Sequence, residues 1–346
     1  MLPRERVSAV LAYHAPDVLP CIVLPAPAGF RDHGLKLLEL LQECGSDFEE
    51  VRAWKLPAPP PREDFDPDGK YHAIKTDEWG TTWEYRIYGV WGHPIAWPLE
   101  DMGRLSSYSM PPVAEPTGEA LAKAQEAGRQ RRQRYYQVGG CGDLFTRMHC
   151  LRRFEDVLMD VQDDTPEINR LADRLMERSM AEVRWWLAVG VDAISVGDDF
   201  GTRDACFFSR RRFREFFLPR YKEIFVPVKK AGKKVLFHCC GQVWDILEDF
   251  REMGIDCIWP QLPCYDMQAL AKRCRELGIA VQMHPDRGEM MQQGTRGQVR
   301  GYLDRMVETF GTMGGGSFLH VEIDPNFRWE TTEALVRWAI EKRRQG

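Results

Sequence analysis

Apolar residues recur along this chain in two rhythms. Short apolar runs alternate with longer stretches in which apolar positions return every third or fourth residue. The first rhythm predicts buried strands and the second predicts amphipathic helices. From about residue 117 the alternation is regular. A helix over 118–133 leads to a strand at 135–138, and a short helix over 145–153 precedes an apolar run at 157–161. Helix 166–189 then leads to strand 193–196, helix 209–230 to strand 234–238, and helix 243–253 to strand 257–259. Helix 267–277 leads to strand 279–282, helix 296–311 to strand 317–321, and a helix over 331–344 follows. Such alternation predicts a parallel sheet with crossover helices. About eight βα repeats in 346 residues predict a single α/β domain over 1–346 with the (β/α)8 TIM barrel architecture. An open doubly wound sheet is the runner-up.

The first third of the chain is less regular. It predicts a helix over 5–12, a strand at 21–24, a loop at 26–29 and a helix over 35–44. Residues 56–66 are rich in Pro and Asp and form a loop. At about 71–97 the texture changes: Trp79, Trp83, Tyr85, Tyr88, Trp91 and Trp97 are spaced by glycines at 80, 89 and 92. That pattern predicts an aromatic β-hairpin or small antiparallel β insertion beside the barrel and its N-terminal extension.

Composition narrows the function classes. The net charge is −5, with acids and bases interspersed and no basic stripe, which argues against nucleic acid as a partner. No apolar run approaches the ~20 residues of a membrane span, and the N-terminal Met1-Leu2-Pro3-Arg4-Glu5-Arg6 lacks a signal-peptide apolar region. The ten cysteines have no disulfide-framework spacing, so a reduced, cytoplasmic setting is expected. No Gly-x-Gly-x-x-Gly follows a strand, and there is no Walker lysine, so nothing supports nucleotide binding.

The candidate chemistry gathers where strands end, which in a barrel is one mouth. His238 and Cys240 lie two apart at the end of an apolar strand, so they face one point while Cys239 faces away. Imidazole plus thiolate is a borderline-soft pair suited to Zn2+. Asp198 and Asp199 follow strand 193–196 as candidate catalytic acids; two inward carboxylates would repel, so one is expected to face the cavity and the other to brace the turn. Gln261, His284 and Asp286 follow the next strands as candidate substrate contacts. Glu322 and Asp324 follow the last strand, and either can supply a third metal ligand, with His284 and His320 as weaker candidates.

These residues resemble the uroporphyrinogen decarboxylase superfamily, within it the branch of zinc- and corrinoid-dependent methyltransferases. The resemblance rests on Gly197-Asp198-Asp199-Phe200-Gly201-Thr202, on the helix from Phe213 to Lys222, on the stretch from Ala231 to the His-x-Cys-Gly of 238–241, on Asp77-Glu78-Trp79-Gly80 and on Gly314-Gly315-Gly316-Ser317-Phe318. It implies a barrel fold, substrate contacts at Glu78 and Trp79, and zinc on His238 and Cys240. It also implies a cobalt corrinoid (cobalamin) brought by a partner protein, since the chain shows no Asp-x-His-x-x-Gly cobalamin loop.

Two departures shape the expectation. The arginine-rich Arg-Gln-Ala-Gly-Arg-Tyr segment of true decarboxylases is replaced by Pro25-Ala26-Pro27-Ala28-Gly29-Phe30-Arg31. The late zinc cysteine of the coenzyme M methyltransferases is replaced by a carboxylate at Asp324, with Glu322 nearby. The expected activity is methyl transfer between a small donor or acceptor (methoxy, methylamine or thiol type) and the partner's corrinoid. A metal-free decarboxylase using Asp198 or Asp199, and a non-catalytic corrinoid or metal-ligand binder, are the alternatives.

Overall fold

A computed structural model describes residues 1–285 and 287–344. Asp286, a candidate substrate contact, lies outside the described residues. The strands are β1 Cys21–Val23, β2 Ala73–Thr76, β3 Thr82–Tyr85, β4 His93–Ala96, β5 Val138–Gly140, β6 Ala193–Gly197, β7 Lys234–Cys239, β8 Cys257–Pro260, β9 Ala280–Met283 and β10 Ser317–Val321. The helices are α1 Pro3–Leu11, α2 Pro27–Cys44, α3 Gly118–Arg132, α4 Phe145–Leu151, α5 Phe154–Asp163, α6 Pro166–Val189, α7 Arg210–Lys230, α8 Leu247–Met253, α9 Met267–Leu277, α10 Glu289–Gln293, α11 Arg296–Phe310 and α12 Trp329–Arg344. Parallel strands joined by crossover helices, an N-terminal helix and an antiparallel insertion make this a TIM-barrel-type α/β fold in distorted form.

Two compact units are built from interleaved segments. The first comprises Met1–Pro59, Glu126–Val138 and Asp256–Gly346. Its strand order is β1-β10-β9-β8, each pair parallel. All five residues of β10 and all four of β9 are buried, which is why both read as unbroken apolar runs rather than as alternating ones. A buried charge cluster ties its ends together. The fully buried Asp47 carboxylate accepts from the Cys21 N–H at 2.8 Å, from Arg343 Nη1 at 2.7 Å and from Arg6 Nη1. The second unit comprises Pro60–Gln125 and Gly139–Ile255. There β6 and β7 pair in parallel, with Gly197 opposite His238. Its core is unusually aromatic: Phe145 stacks on Phe200 at 5.8 Å, and Phe217 meets Phe200 edge-on at 5.0 Å. The aromatic insertion is a three-stranded antiparallel sheet in the order β2-β3-β4.

Three local expectations are corrected. Residues 26–29 are not a loop: Pro27 opens α2, where its missing N–H costs nothing, and the helix kinks at Gly34 (φ 59°). A side chain at Gly29 would lie 2.5 Å from the Ile323 carbonyl, so glycine permits that close approach. The strand expected at 135–138 begins only at Val138, because α3 runs out through turns in which the Tyr135 N–H bonds back to Arg131. The apolar run at 157–161 belongs to α5, so seven parallel-sheet strands stand among the described residues.

Candidate functional site

Among the described residues, two sets of metal-capable side chains assemble, one in each unit. In the second unit, His238 is the last residue but one of β7, and Cys240 directly follows the strand. The register that sets Gly197 opposite His238 carries the next same-face pair to Asp199 and Cys240. Cys240 Sγ lies 3.3 Å from His238 Nε2, and Asp199 Oδ1 lies 3.7 Å from the same nitrogen. All three offer donor atoms within 4.8 Å of one another, and each is partly exposed. The loops that carry them are locked together. The Cys240 N–H donates to Asp199 Oδ1 at 2.7 Å, and the Gln242 N–H donates to the Thr202 carbonyl at 2.7 Å. This closeness requires Gly241, which has φ +74° and would place a Cβ 2.2 Å from the Gly201 carbonyl oxygen. Cys239 points the other way. It is fully buried, its sulfur accepts from the Phe200 N–H at 3.3 Å, and burial pushes its thiol well above the ordinary range.

Asp198 and Asp199 divide their tasks. Asp198 is fully buried and accepts from the N–H groups of Leu144, Phe145 and Thr146 at 3.2, 2.8 and 2.7 Å. It also accepts from Thr146 Oγ1 at 2.8 Å and from the Tyr221 hydroxyl at 2.5 Å. It therefore caps α4 from a distant strand, supplying the acceptor that Leu144 lacks. Burial pushes its carboxyl up, against these donors. Asp199 is turned instead toward His238 and Cys240.

Sequence reasoning missed two residues beside this set. Asp143, just before α4, has its carboxyl pushed up to about 7 by burial and by Asp198, with Arg147 opposing. His149, on α4, is held down to about 4 by burial although Asp199 favours its charged form, so it is neutral at physiological pH. Asp143 lies three residues past the end of β5 and His149 within α4; neither falls in a recognisable motif, and burial, with Asp198 beside Asp143, singles them out.

The insertion lines an open cavity of about 550 Å3 within the second unit. Glu78 and Trp79 line it together with Trp83, Trp91, Tyr85 and Arg147. The Arg147 and Arg178 guanidiniums lie over the Trp79 ring, at 4.4 and 4.7 Å from its centre. Asp77 is occupied in holding the turn, accepting from the N–H groups of Trp79 and Thr81 and from Trp83 Nε1, each at 2.9 Å.

In the first unit, His284, His320 and Glu322 form the other set, again with donor atoms within 4.8 Å. His284 and His320 are buried. His284 Nε2 contacts the Glu322 carboxylate, and Arg287 Nη2 lies 2.6 Å from it. Burial pushes the Glu322 carboxyl up, but His284, His320 and Arg287 together hold it down at about 2. Asp324 stands 3.4 Å from Arg287 Nε, and its carboxyl is pushed up by burial and by Glu322. Gln261, just after β8, has an exposed side chain, and its carbonyl accepts from the Cys264 N–H at 2.9 Å.

A profile of the family described as uroporphyrinogen decarboxylase (URO-D) matches residues 93–339, more than half of the chain. The chain belongs to the uroporphyrinogen decarboxylase family. Among solved structures, this family member is similar to a methyltransferase from Methanosarcina mazei at 15% identity, with 99% of each chain covered and a TM-score of 0.63. It is also similar to a B12-independent methionine synthase from Shewanella sp. W3-18-1 at 12% identity, with 96% of this chain and 95% of that one covered and a TM-score of 0.47. At 15% identity the likeness to the first is one of fold. A search of curated proteins finds no match. Among the described residues, no helix is long and apolar enough to cross a membrane.

Proposed function

We propose that this member of the uroporphyrinogen decarboxylase family is a zinc-dependent methyltransferase. It moves a methyl group between a small methoxy, methylamine or thiol compound and a cobalt corrinoid carried by a partner protein. One observation carries the reading: His238 Nε2 and Cys240 Sγ sit 3.3 Å apart with the Asp199 carboxylate beside them. Nitrogen, sulfur and oxygen donors on three partly exposed side chains fit zinc with a position left for substrate. The fold shared with a methyltransferase supports it, and so does Pro25–Arg31, which lacks the two-arginine segment that would hold a carboxylated porphyrin.

Bound zinc lowers the pKa of a thiol or hydroxyl and polarises its bond to methyl. The chain's own residues hold that chemistry in place. His238 and Cys240 supply neighbouring donors from one strand face. Asp199 fixes the Cys240 backbone and places negative charge beside the imidazole. Asp198 takes no part in binding and anchors α4, whose Arg147 reaches the aromatic cavity. That cavity, with Glu78 and Trp79, receives the substrate's apolar body.

The test is cobalt substitution combined with a methyl-transfer assay on free cob(I)alamin. Thiolate bound to Co2+ gives a near-ultraviolet charge-transfer band. Cys240→Ala is expected to abolish both the band and transfer, while Cys239→Ala keeps both. A band that survives in Cys240→Ala would refute the site, and transfer that survives its loss would refute the mechanism.

A further inference from the structure

We propose that His284, His320 and Glu322 hold a divalent cation of their own, on a ligand set that shares no residue with His238, Cys240 and Asp199. This goes beyond the methyltransferase reading and does not depend on it. Strand register brings the three together. β10 pairs with β9 through Phe318 and Gln282, and β9 pairs with β8 through Val281 and Ile258. Partners in register share a face and side chains alternate along a strand, so Trp259, Gln282 and His320 project from one side of three adjacent strands. His284 and Glu322, each two residues further on, continue that side. The imidazole centres lie 5.0 Å apart, nearly perpendicular at 79°, and Trp259 walls His320 at 4.5 Å.

The donor spacing suits one ion. Ligand bonds of ~2.0–2.1 Å to a single tetrahedral centre set donor atoms roughly 3.3 Å apart. Donors already within 4.8 Å reach that spacing by small side-chain rotations. The second layer is also that of a metal site. Gln282 Nε2 lies 3.0 Å from His320 Nδ1. With the amide flipped so that its oxygen faces the ring, that oxygen accepts a hydrogen bond from Nδ1–H, which fixes the ring and leaves Nε2 as the donor to the ion.

A simple ion-pair network needs one carboxylate, one imidazole and one guanidinium, and Glu322, His284 and Arg287 already supply these. It gives no reason for a second buried imidazole, itself braced by a buried amide, on the same strand face. Arg287 rests on Glu322 through Nη2 at 2.6 Å and Nε at 3.0 Å. Asp324, 3.4 Å from that Nε, is the carboxylate to which the guanidinium transfers when a cation takes Glu322. Two imidazoles and a carboxylate, with no thiolate, select a first-row divalent ion such as Zn2+, Fe2+ or Mn2+ and leave positions open for an oxygen ligand.

Metal-free full-length protein titrated with Co2+ tests this. The wild type is expected to bind two ions, one with the thiolate charge-transfer band and one adding only weak visible bands. Cys240→Ala keeps the band-free ion. Glu322→Gln, which preserves volume, loses that ion and keeps the thiolate band; His320→Gln, if it folds by its thermal melt, does the same. A wild type that binds only the thiolate ion, or a Glu322→Gln variant with unchanged stoichiometry, overturns the proposal. A wild type with no thiolate band but one ion removed by Glu322→Gln supports this site and sinks the methyltransferase reading alone.

Discussion

Asp199 Oδ1 accepts the Cys240 backbone N–H at 2.7 Å and lies 3.7 Å from His238 Nε2, so one carboxylate both orients the thiol-bearing residue and faces the imidazole. Removing it touches both donors. Asp199→Ala is expected to weaken metal binding by at least roughly 10–100-fold, the cost of losing even a residue that only braces a ligand. Asp199→Asn, which keeps an acceptor for the Cys240 N–H, should fall between wild type and alanine. Competition against a chromogenic chelator measures the ratio. Equal affinity in wild type and alanine variant would remove Asp199 from the site.

Asp198 serves stability. Replacing it with Ala takes the acceptor from the N–H groups of Phe145 and Thr146 and from the Thr146 and Tyr221 hydroxyls, while the Leu144 N–H keeps the Tyr221 oxygen at 3.2 Å. Each buried polar group left unsatisfied costs about 1–3 kcal/mol. Asp198→Ala is therefore expected to lower unfolding free energy in urea by at least about 3 kcal/mol, the cooperative sum being less than four full penalties. A loss below about 1 kcal/mol would contradict the capping role.

Asp143 predicts a pH signature. Its folded-state carboxyl titrates near 7, above the ordinary 3.8. Below about pH 4 both folded and unfolded forms are protonated. Between about 4 and 7 the unfolded chain ionises first, so stability falls as pH rises across that window and levels off above it. Asp143→Asn removes this dependence and is expected to stabilise the protein by roughly 1–3 kcal/mol at pH 8 relative to wild type, with little difference at pH 4. Denaturant midpoints across the range measure it, and parallel profiles for the two proteins would show that Asp143 ionises normally.

Asp47 joins the ends of the first unit. With no exposure, it faces Arg6 and Arg343 and takes the Cys21 N–H. Asp47→Ala leaves the Arg343 guanidinium without its carboxylate and Arg6 with Asp17 alone, and should cost about 3–5 kcal/mol. Deleting both arginine charges with Met alongside Asp47→Leu should recover most of that loss, since a buried ion cluster is stabilising chiefly against its own partial removal. Thermal melts of the single and triple variants decide between this and a purely steric role.

Much of the site was legible before folding, and the reason is local. Strand and helix alternation follows from which side chains are apolar, and His238 and Cys240 share a face because strand side chains repeat every two residues. The separation of Cys239 from its neighbour has the same origin. The sequence also left one of the two acids to brace a turn, but nothing in Asp198-Asp199 says which. That was decided by the approach of the α4 N–H groups to Asp198 and by the β6–β7 register that carries Asp199 to Cys240. The sequence offered Glu322 or Asp324, with His284 and His320 as weaker candidates, to complete the set of His238 and Cys240. That Glu322 groups with His284 and His320, and Asp199 with His238 and Cys240, depends on how neighbouring strands align, which no single strand's pattern encodes. Asp143 and His149 owe their displaced titration to burial, and only the fold shows that Gly29 lies against the Ile323 carbonyl. Periodicity along a chain fixes which face a side chain takes. Register, burial and loop contact fix what it meets there, because they depend on residues far away in sequence.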